Sequence, residues 1–171
     1  MLIAQSPSGP DGPISRTRKI LALALILAAT FGVGAIGAWV TAPSIPEWYE
    51  SLNKPNFNPP NWLFAPIWSA LYFLTSIAIW LAWQSAPAAR RLALLAIYGG
   101  QLALNMLWSI LFFAMHLPLL AYVDCLVLAL VIAWMMVRFR RVNRFAAWLL
   151  VPYLLWVAFA TLLNIAIVLL N

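Results

Sequence analysis

Charged residues are scarce in this sequence: they make up 8% of the 171 residues, whereas 65% are hydrophobic. A water-soluble domain carries roughly a quarter charged residues, so this chain cannot cover a surface that faces water. The composition therefore excludes a soluble enzyme or binding module and predicts an integral membrane protein.

Residues that build most catalytic or metal centres are also lacking. The sequence has one cysteine, Cys125, so no internal disulfide can form, and its apolar surroundings favour a small buried residue. His116 has no neighbouring metal ligands, and there is no Ser-His-Asp set, no Cys-His set and no pair of carboxylates at one depth. We therefore expect no metal site, no obligatory cofactor and no catalytic residues for reactions that do not depend on light.

Apolar runs, by contrast, are long enough to cross a bilayer, which takes about 20 residues. They predict an all-α bundle of five transmembrane helices, with spans at about 20–42, 62–83, 92–115, 118–137 and 145–170. Residues 1–19 have no apolar period and predict a disordered tail. Residues 43–61, rich in proline and aromatic residues, predict a folded loop over one end of the bundle, which we call the lid.

The basic residues lie almost entirely on one side of this predicted bundle. Nine of them fall on the side of the N-terminus, whereas the lid side has only Lys54. Because Lys and Arg concentrate in cytoplasmic loops, we expect a bacterial-type inner membrane protein with a cytoplasmic N-terminus and the lid outside. The net charge of +6 could also indicate nucleic-acid binding, but orientation explains basic residues that flank apolar runs, so we expect no nucleic-acid partner.

The first apolar run contains a literal G-x-G-x-x-G pattern at Gly32, Gly34 and Gly37. A dinucleotide site needs a strand before this pattern and a helix after it, whereas here the pattern lies in mid-helix. We interpret these glycines as small residues that let helices approach closely.

Polar and aromatic residues of several helices share one depth below the lid. At a rise of about 1.5 Å per residue, they occupy a layer roughly 9 to 15 Å below it. Residues three or four apart lie on one helical face. The faces are Trp68, Tyr72, Thr75 and Ser76 on the second helix; Gln101, Asn105, Trp108 and Phe112 on the third; and Tyr153, Trp156, Ala160 and Asn164 on the fifth.

Because unpaired polar groups are costly in hydrocarbon, we expect these faces to surround a cavity for a large, flat, mostly apolar ligand. Other interpretations remain open. Trp68, Trp108 and Trp156 also suit core packing, and Asn105 and Asn164 also suit hydrogen bonds between helices. Asp124 is the only charged residue within a predicted span. It is either functional or bonded to the backbone or the lid.

Three segments of the sequence resemble the TspO/translocator protein family, also called tryptophan-rich sensory proteins or peripheral benzodiazepine receptors. They are WYESLNKPNFNPPNW followed by Trp68, Leu71 and Tyr72; QLALNMLWSILFF; and PYLLWVAFATLLN. The last two match the third and fifth helices of the family. The resemblance extends from Gly32 to Asn171.

This resemblance implies a five-helix bundle, often dimeric, that binds porphyrins and other tetrapyrroles and acts in transport or in stress, oxygen or light sensing. The ligand would be protoporphyrin IX or a haem-like tetrapyrrole. An alternative is light-dependent porphyrin degradation with Trp68 or Trp156 as electron donor, and another is a structural or interaction protein whose cavity is incidental. The implied ligand-binding residues are Trp48, Trp68, Tyr72, Asn105, Trp108, Trp156, Ala160 and Asn164.

Two features concern further partners. Many family members bind sterol through a tyrosine followed by a basic residue, but no basic residue follows Tyr153 here, so that motif is incomplete. The dimer expected from the resemblance has a candidate contact at Gly99 and Ala103, a G-x-x-x-A pattern that allows two helices to approach.

Overall fold

The computed structural model of the protein describes residues 14–171. Within that range it contains helices and no strand, and five helical segments are long and apolar enough to cross a membrane. The prediction of an all-α, five-helix membrane protein is confirmed for this part of the chain. The segments are Arg16–Tyr49, Asn61–Ser85, Ala88–Ala114, Pro118–Arg140 and Arg144–Leu170.

The first helix, α1, runs over Arg16–Thr41 and begins four residues before the predicted span. Ser15 causes this early start, because its hydroxyl oxygen accepts a hydrogen bond from the Arg18 backbone N–H at 3.3 Å and so caps the helix. Residues 16–19 of the predicted tail are therefore helical. The prediction of disorder for residues 1–13 lies outside the described residues.

The first half of the predicted lid is also helical rather than a loop. After α1 the chain continues as a 3-10 turn over Ala42–Ser44 and a π-helical turn over Ile45–Tyr49. Pro43 and Pro46 are compatible with these turns because each lies in a first turn, where a missing N–H is tolerated. The irregular part is confined to residues 52–60, where three prolines prevent helix formation.

The remaining spans contain five regular helices. The third span extends beyond its regular helix as a π-helical turn over Ile110–Ala114. The fifth is interrupted after Trp148, close to Pro152, which has no N–H to continue the hydrogen-bonded ladder. The helices are α2 (Phe64–Ser85), α3 (Ala88–Ser109), α4 (Pro118–Arg140), α5 (Arg144–Trp148) and α6 (Val151–Leu170).

Helix α4 packs mainly against α3 and α6, and α1 packs mainly against α2. Buried apolar side chains form three clusters along the bundle. Ile79, Met135 and Phe139 belong to the cluster near the basic end, which we define as the end with Arg90 and Arg141. A middle cluster includes Leu71, Leu128, Ile132, Tyr153 and Val157, and a cluster below the lid includes Tyr49, Phe112, Phe113, Leu163 and Ile167.

Candidate functional site

A cavity of about 630 Å³ lies in the lid half of the bundle. Its size falls within the range of roughly 300 to 1,000 Å³ that is usual for small-molecule sites. All five spans contribute to its wall, and most of the lining is aromatic or aliphatic. Seven of the eight predicted site residues line it: Trp68, Tyr72, Asn105, Trp108, Trp156, Ala160 and Asn164.

Trp48, the eighth predicted residue, does not line this cavity. Its ring stacks on His116, with ring centroids 4.2 Å apart and planes 13° apart, and its neighbour Tyr49 lines the cavity instead. Ligand binding by Trp48 therefore stays a prediction, although its side chain is not part of the cavity wall. A π-helical turn bonds residues five apart, so the side chains of Ile45–Tyr49 point in directions that α-helical spacing does not give.

One side of the cavity carries a chain of hydrogen bonds between helices. The Tyr72 hydroxyl donates to Asn105 Oδ1 at 2.7 Å, and Asn105 Nδ2 donates to the Tyr153 hydroxyl at 3.4 Å. That hydroxyl donates in turn to Gln101 Oε1 at 2.9 Å. The chain joins α2, α3 and α6, and its first two residues lie at the cavity wall.

A second polar group lies nearer the lid. Asn164 Oδ1 accepts a hydrogen bond from Trp108 Nε1 at 3.1 Å, and its Nδ2 donates to the Pro118 carbonyl at 2.7 Å. This one amide therefore joins α6 to α3 and to the start of α4. Asn105 and Asn164 thus combine the two roles that the sequence left open, because each bonds neighbouring helices and also lines the cavity.

Four other residues of the predicted faces are buried but do not line the cavity. They pack directly beneath it, where Ser76 Oγ donates to the Tyr72 carbonyl at 2.7 Å. They therefore support the cavity wall rather than form it. These residues are Thr75, Ser76, Gln101 and Tyr153.

Asp124 is buried, and it also does not line the cavity. Its Oδ2 has no hydrogen-bond partner within residues 14–171, so a backbone or lid bond to that atom, one of the two alternatives left open by the sequence, is not formed by this part of the chain. The next residue, Cys125, is buried as predicted, yet it contributes to the cavity wall.

Helix α1 forms a large part of the wall that the sequence did not predict. Gly34 lies directly against the Tyr72 ring, so closely that a Cβ atom there would be 2.5 Å from Tyr72 Cε2. Phe31 meets the same ring edge-on at a centroid distance of 6.2 Å. The G-x-G-x-x-G pattern therefore does serve close helix approach at Gly34, whereas a Cβ atom at Gly32 would have no neighbour within 4 Å.

The cavity is electrically neutral. No Lys, Arg, Asp or Glu of the described residues lines it. The single ion pair within residues 14–171, between Lys54 and Glu50 at 3.8 Å, belongs to the lid. A charged group deep in such a wall would be costly, so the arrangement suits an uncharged ring system with polar substituents near the lid.

Comparisons with known proteins agree with this architecture. A sequence model of the TspO/MBR family matches residues 24–170. The chain is 41% identical to the tryptophan-rich protein TspO of Archaeoglobus fulgidus, over 90% of this chain and 99% of that protein. It is 39% identical to the tryptophan-rich sensory protein of Cereibacter sphaeroides (88% and 92%) and 42% identical to the translocator protein of Ovis aries (69% and 71%).

Proposed function

The chain belongs to the TspO/MBR family, and from this premise we propose that it binds porphyrins or related tetrapyrroles in the cavity, for transport or for sensing of stress, oxygen or light. The observation that carries the proposal is the cavity itself. It has the volume of a small-molecule site, aromatic walls and two groups of hydrogen-bonding side chains. Flat macrocycles stack on aromatic side chains.

Titration with protoporphyrin IX tests this proposal through quenching of tryptophan fluorescence. We expect saturable binding, a weaker isotherm for Trp156→Phe, and an unchanged one for Trp148→Phe. The two residues lie in the same span, but Trp148 is 70% exposed and lies outside the cavity. Quenching that never saturates, or that responds equally to both substitutions, would favour the alternative of an interaction protein with an incidental cavity.

The neutral wall leads to a second measurement on the same ligand. Because carboxylates are costly to bury, the two propionates of protoporphyrin IX would remain near the lid, where Asn61 lines the cavity. The dimethyl ester of protoporphyrin IX should therefore bind at least as tightly as the free acid. Loss of binding on esterification would mean that the ligand is held by its charges instead.

Light-dependent porphyrin degradation is the second candidate function. It is favoured by two cavity tryptophans, Trp68 and Trp156, which would lie against a bound ring. One electron would pass from an indole to the light-excited porphyrin, leaving an indole radical cation and a porphyrin radical anion, and dioxygen would act as the oxidant of the ring. Product formation under light should be lost in Trp68→Phe and kept in Trp62→Phe, which is exposed and outside the cavity.

We further propose that the protein is a homodimer through α3. Gly99 and Ala103 are both exposed on this helix, and Gly99 has no atom within 4 Å of where a Cβ would lie. A second copy could therefore approach closely at this face. Gly99→Leu should dissociate the dimer in mild detergent, whereas Ala158→Leu, at an exposed position on α6, should not; an intact Gly99→Leu dimer would exclude this contact.

The proposed location is an inner membrane with the N-terminus in the cytoplasm. The lid residue Ser51 and the tail residue Ser8 can each be replaced by cysteine in a Cys125→Ala background. In intact spheroplasts an impermeant thiol reagent should label position 51 and not position 8. Labelling of position 8 alone would reverse the orientation.

A further inference from the structure

A second, smaller cavity of about 210 Å³ lies at the basic end, away from the lid. It is formed by the first turns of α3 and by the end of α4 with the turn that follows. Its lining combines three arginines with apolar side chains: Arg90, Ala93, Leu94, Arg138, Arg141 and Val142. The proposed tetrapyrrole function makes no use of this site.

The positive charge in this cavity has no counter-charge among residues 14–171. Of the four acidic residues in the sequence, Glu47 and Glu50 lie in the lid segment, Asp124 lies in the lid half of α4, and Asp11 lies outside the described residues. No arginine forms an ion pair within residues 14–171. Like charges that converge repel one another, so an anion that binds between them relieves repulsion as well as forming new bonds.

The dipoles of the two helix ends do not change the positive sign of the electrostatic potential in the cavity. The start of α3 has no side-chain cap and provides the positive end of a helix dipole. The end of α4 provides a negative one, and Arg138 and Arg140 lie in its last turn. Because the two helix ends oppose each other, the guanidinium groups determine the potential. Guanidinium groups bind phosphate through paired, charge-assisted hydrogen bonds.

Exposed apolar side chains of α4 lie next to the cavity-lining Arg138. Trp134 and Val137 are 51% and 52% exposed, respectively. The Arg138 guanidinium lies over the Trp134 ring, 5.7 Å from its centroid. Tryptophan is enriched where hydrocarbon meets the headgroup layer, so the cavity lies at the depth of phospholipid headgroups, with an apolar surface beside it.

We propose that this basic cavity binds the phosphate of an anionic phospholipid headgroup while the acyl chains lie along Trp134 and Val137. Basic pockets between transmembrane helices are known to hold such headgroups. Free phosphate offers the same chemistry to the arginines, but the exposed apolar flank favours the lipid.

The experiment compares two double substitutions that each remove two positive charges. Arg138→Gln with Arg141→Gln alters the cavity, whereas Arg140→Gln with Arg144→Gln alters exposed arginines of the same loop region that do not line it. Native mass spectrometry of the purified full chain in neutral detergent would measure binding of dioleoylphosphatidylglycerol and of dioleoylphosphatidylcholine. Inorganic phosphate is added as competitor in a parallel series.

We expect phosphatidylglycerol to bind more tightly than phosphatidylcholine. Each arginine near the surface contributes roughly fivefold to affinity, so the cavity variant should bind phosphatidylglycerol about 25-fold more weakly, and the control variant should change far less. Equal loss of phosphatidylglycerol affinity in both variants would overturn the site, since lipid would then respond only to the total charge of the surface. Equal affinity for both lipids would overturn it as well.

Two further arms keep the result interpretable. If the cavity variant does not fold, Arg90→Gln tests the same cavity from α3, with an expected loss of roughly fivefold. Displacement of phosphatidylglycerol by inorganic phosphate at millimolar concentration would overturn the lipid assignment in favour of a soluble phosphate. Because the test does not involve porphyrin, its failure would leave the proposed function of the larger cavity untouched.

Discussion

The contact between Gly34 and Tyr72 makes a sharp prediction about the larger cavity. In Gly34→Ala the new methyl group would lie 2.5 Å from Tyr72 Cε2, and ordinary contact begins at 3.4 Å, so the ring must retreat by about 0.9 Å. The Tyr72 hydroxyl is bonded to Asn105 at 2.7 Å. A displacement of this size away from Asn105 would take that pair beyond the roughly 3.0 Å limit of an O–H···O hydrogen bond.

The energies can be compared term by term. Overpacking of a core costs about 1 to 3 kcal/mol, and the lost hydrogen bond costs a further 0.5 to 1.5 kcal/mol or so. The better helix propensity of alanine offsets these costs by about 1 kcal/mol. We therefore expect Gly34→Ala to be destabilised by about 0.5 to 3.5 kcal/mol, and its Tyr72 ring to move into the cavity. Protoporphyrin IX should then bind roughly 5- to 150-fold more weakly.

Gly32→Ala is the matched control for this substitution. It lies two residues away on α1, and nothing occupies the space within 4 Å of its Cβ position. We expect Gly32→Ala to keep its affinity for protoporphyrin IX and to melt at or above the wild-type temperature, because the only change is the higher helix propensity of alanine. The assays are a protoporphyrin IX isotherm and a thermal melt of each purified variant.

A double substitution checks the cause. When Tyr72→Leu removes the ring, adding Gly34→Ala should lower the melting temperature no further, since the two effects are coupled through one contact. If Gly34→Ala binds and melts like Gly32→Ala, the close approach of Gly34 to Tyr72 does not shape the cavity and the reasoning fails.

Two more predictions concern α6. Ala160→Thr should fold but bind protoporphyrin IX roughly 5- to 150-fold more weakly, because a larger β-branched residue fills the cavity; unchanged affinity with a lowered melting temperature would instead assign Ala160 to helix packing. Asn164→Ala should lose about 1 to 3 kcal/mol of stability, because it leaves Trp108 Nε1 and the Pro118 carbonyl without the partners they have now. A melt shows this, and a variant as stable as wild type would mean that water replaces the amide.

Sequence reasoning placed Tyr72, Asn105, Trp108 and Asn164 at one cavity because each is polar or amphipathic within a helix of known direction. Helical rise then gives depth, and spacing gives the face. Polar groups must then face the interior of the bundle, because hydrocarbon offers them no hydrogen-bond partner. These are the residues for which the sequence carries a strong physical constraint.

The contribution of α1 could not be found in the same way. On this helix Phe31, Gly34 and Ala38 face the cavity, but their apolar neighbours satisfy a lipid-facing position equally well. An apolar helix in a bilayer has no hydrophobic period that distinguishes inside from outside. The small size of Gly34 indicates a close contact with a neighbouring helix, but it does not show which side chain makes that contact. The position of Trp48 outside the cavity wall has another origin, a π-helical turn that no residue pattern in the sequence indicates.

The position of Cys125 provides a reporter that the chain already contains. It is the one cysteine of the sequence, and it forms part of the wall of the larger cavity. Cys125 is 3% exposed, and a buried thiol reacts slowly, so a small, membrane-permeant thiol reagent would modify each molecule slowly and at a single place, and a molecule held in the cavity would slow that reaction further. Occupancy becomes readable as a mass increment on the unaltered protein, without a dye or a radioactive ligand. Screening by protection of this thiol would find occupants of any chemistry, including those that neither absorb light nor quench fluorescence.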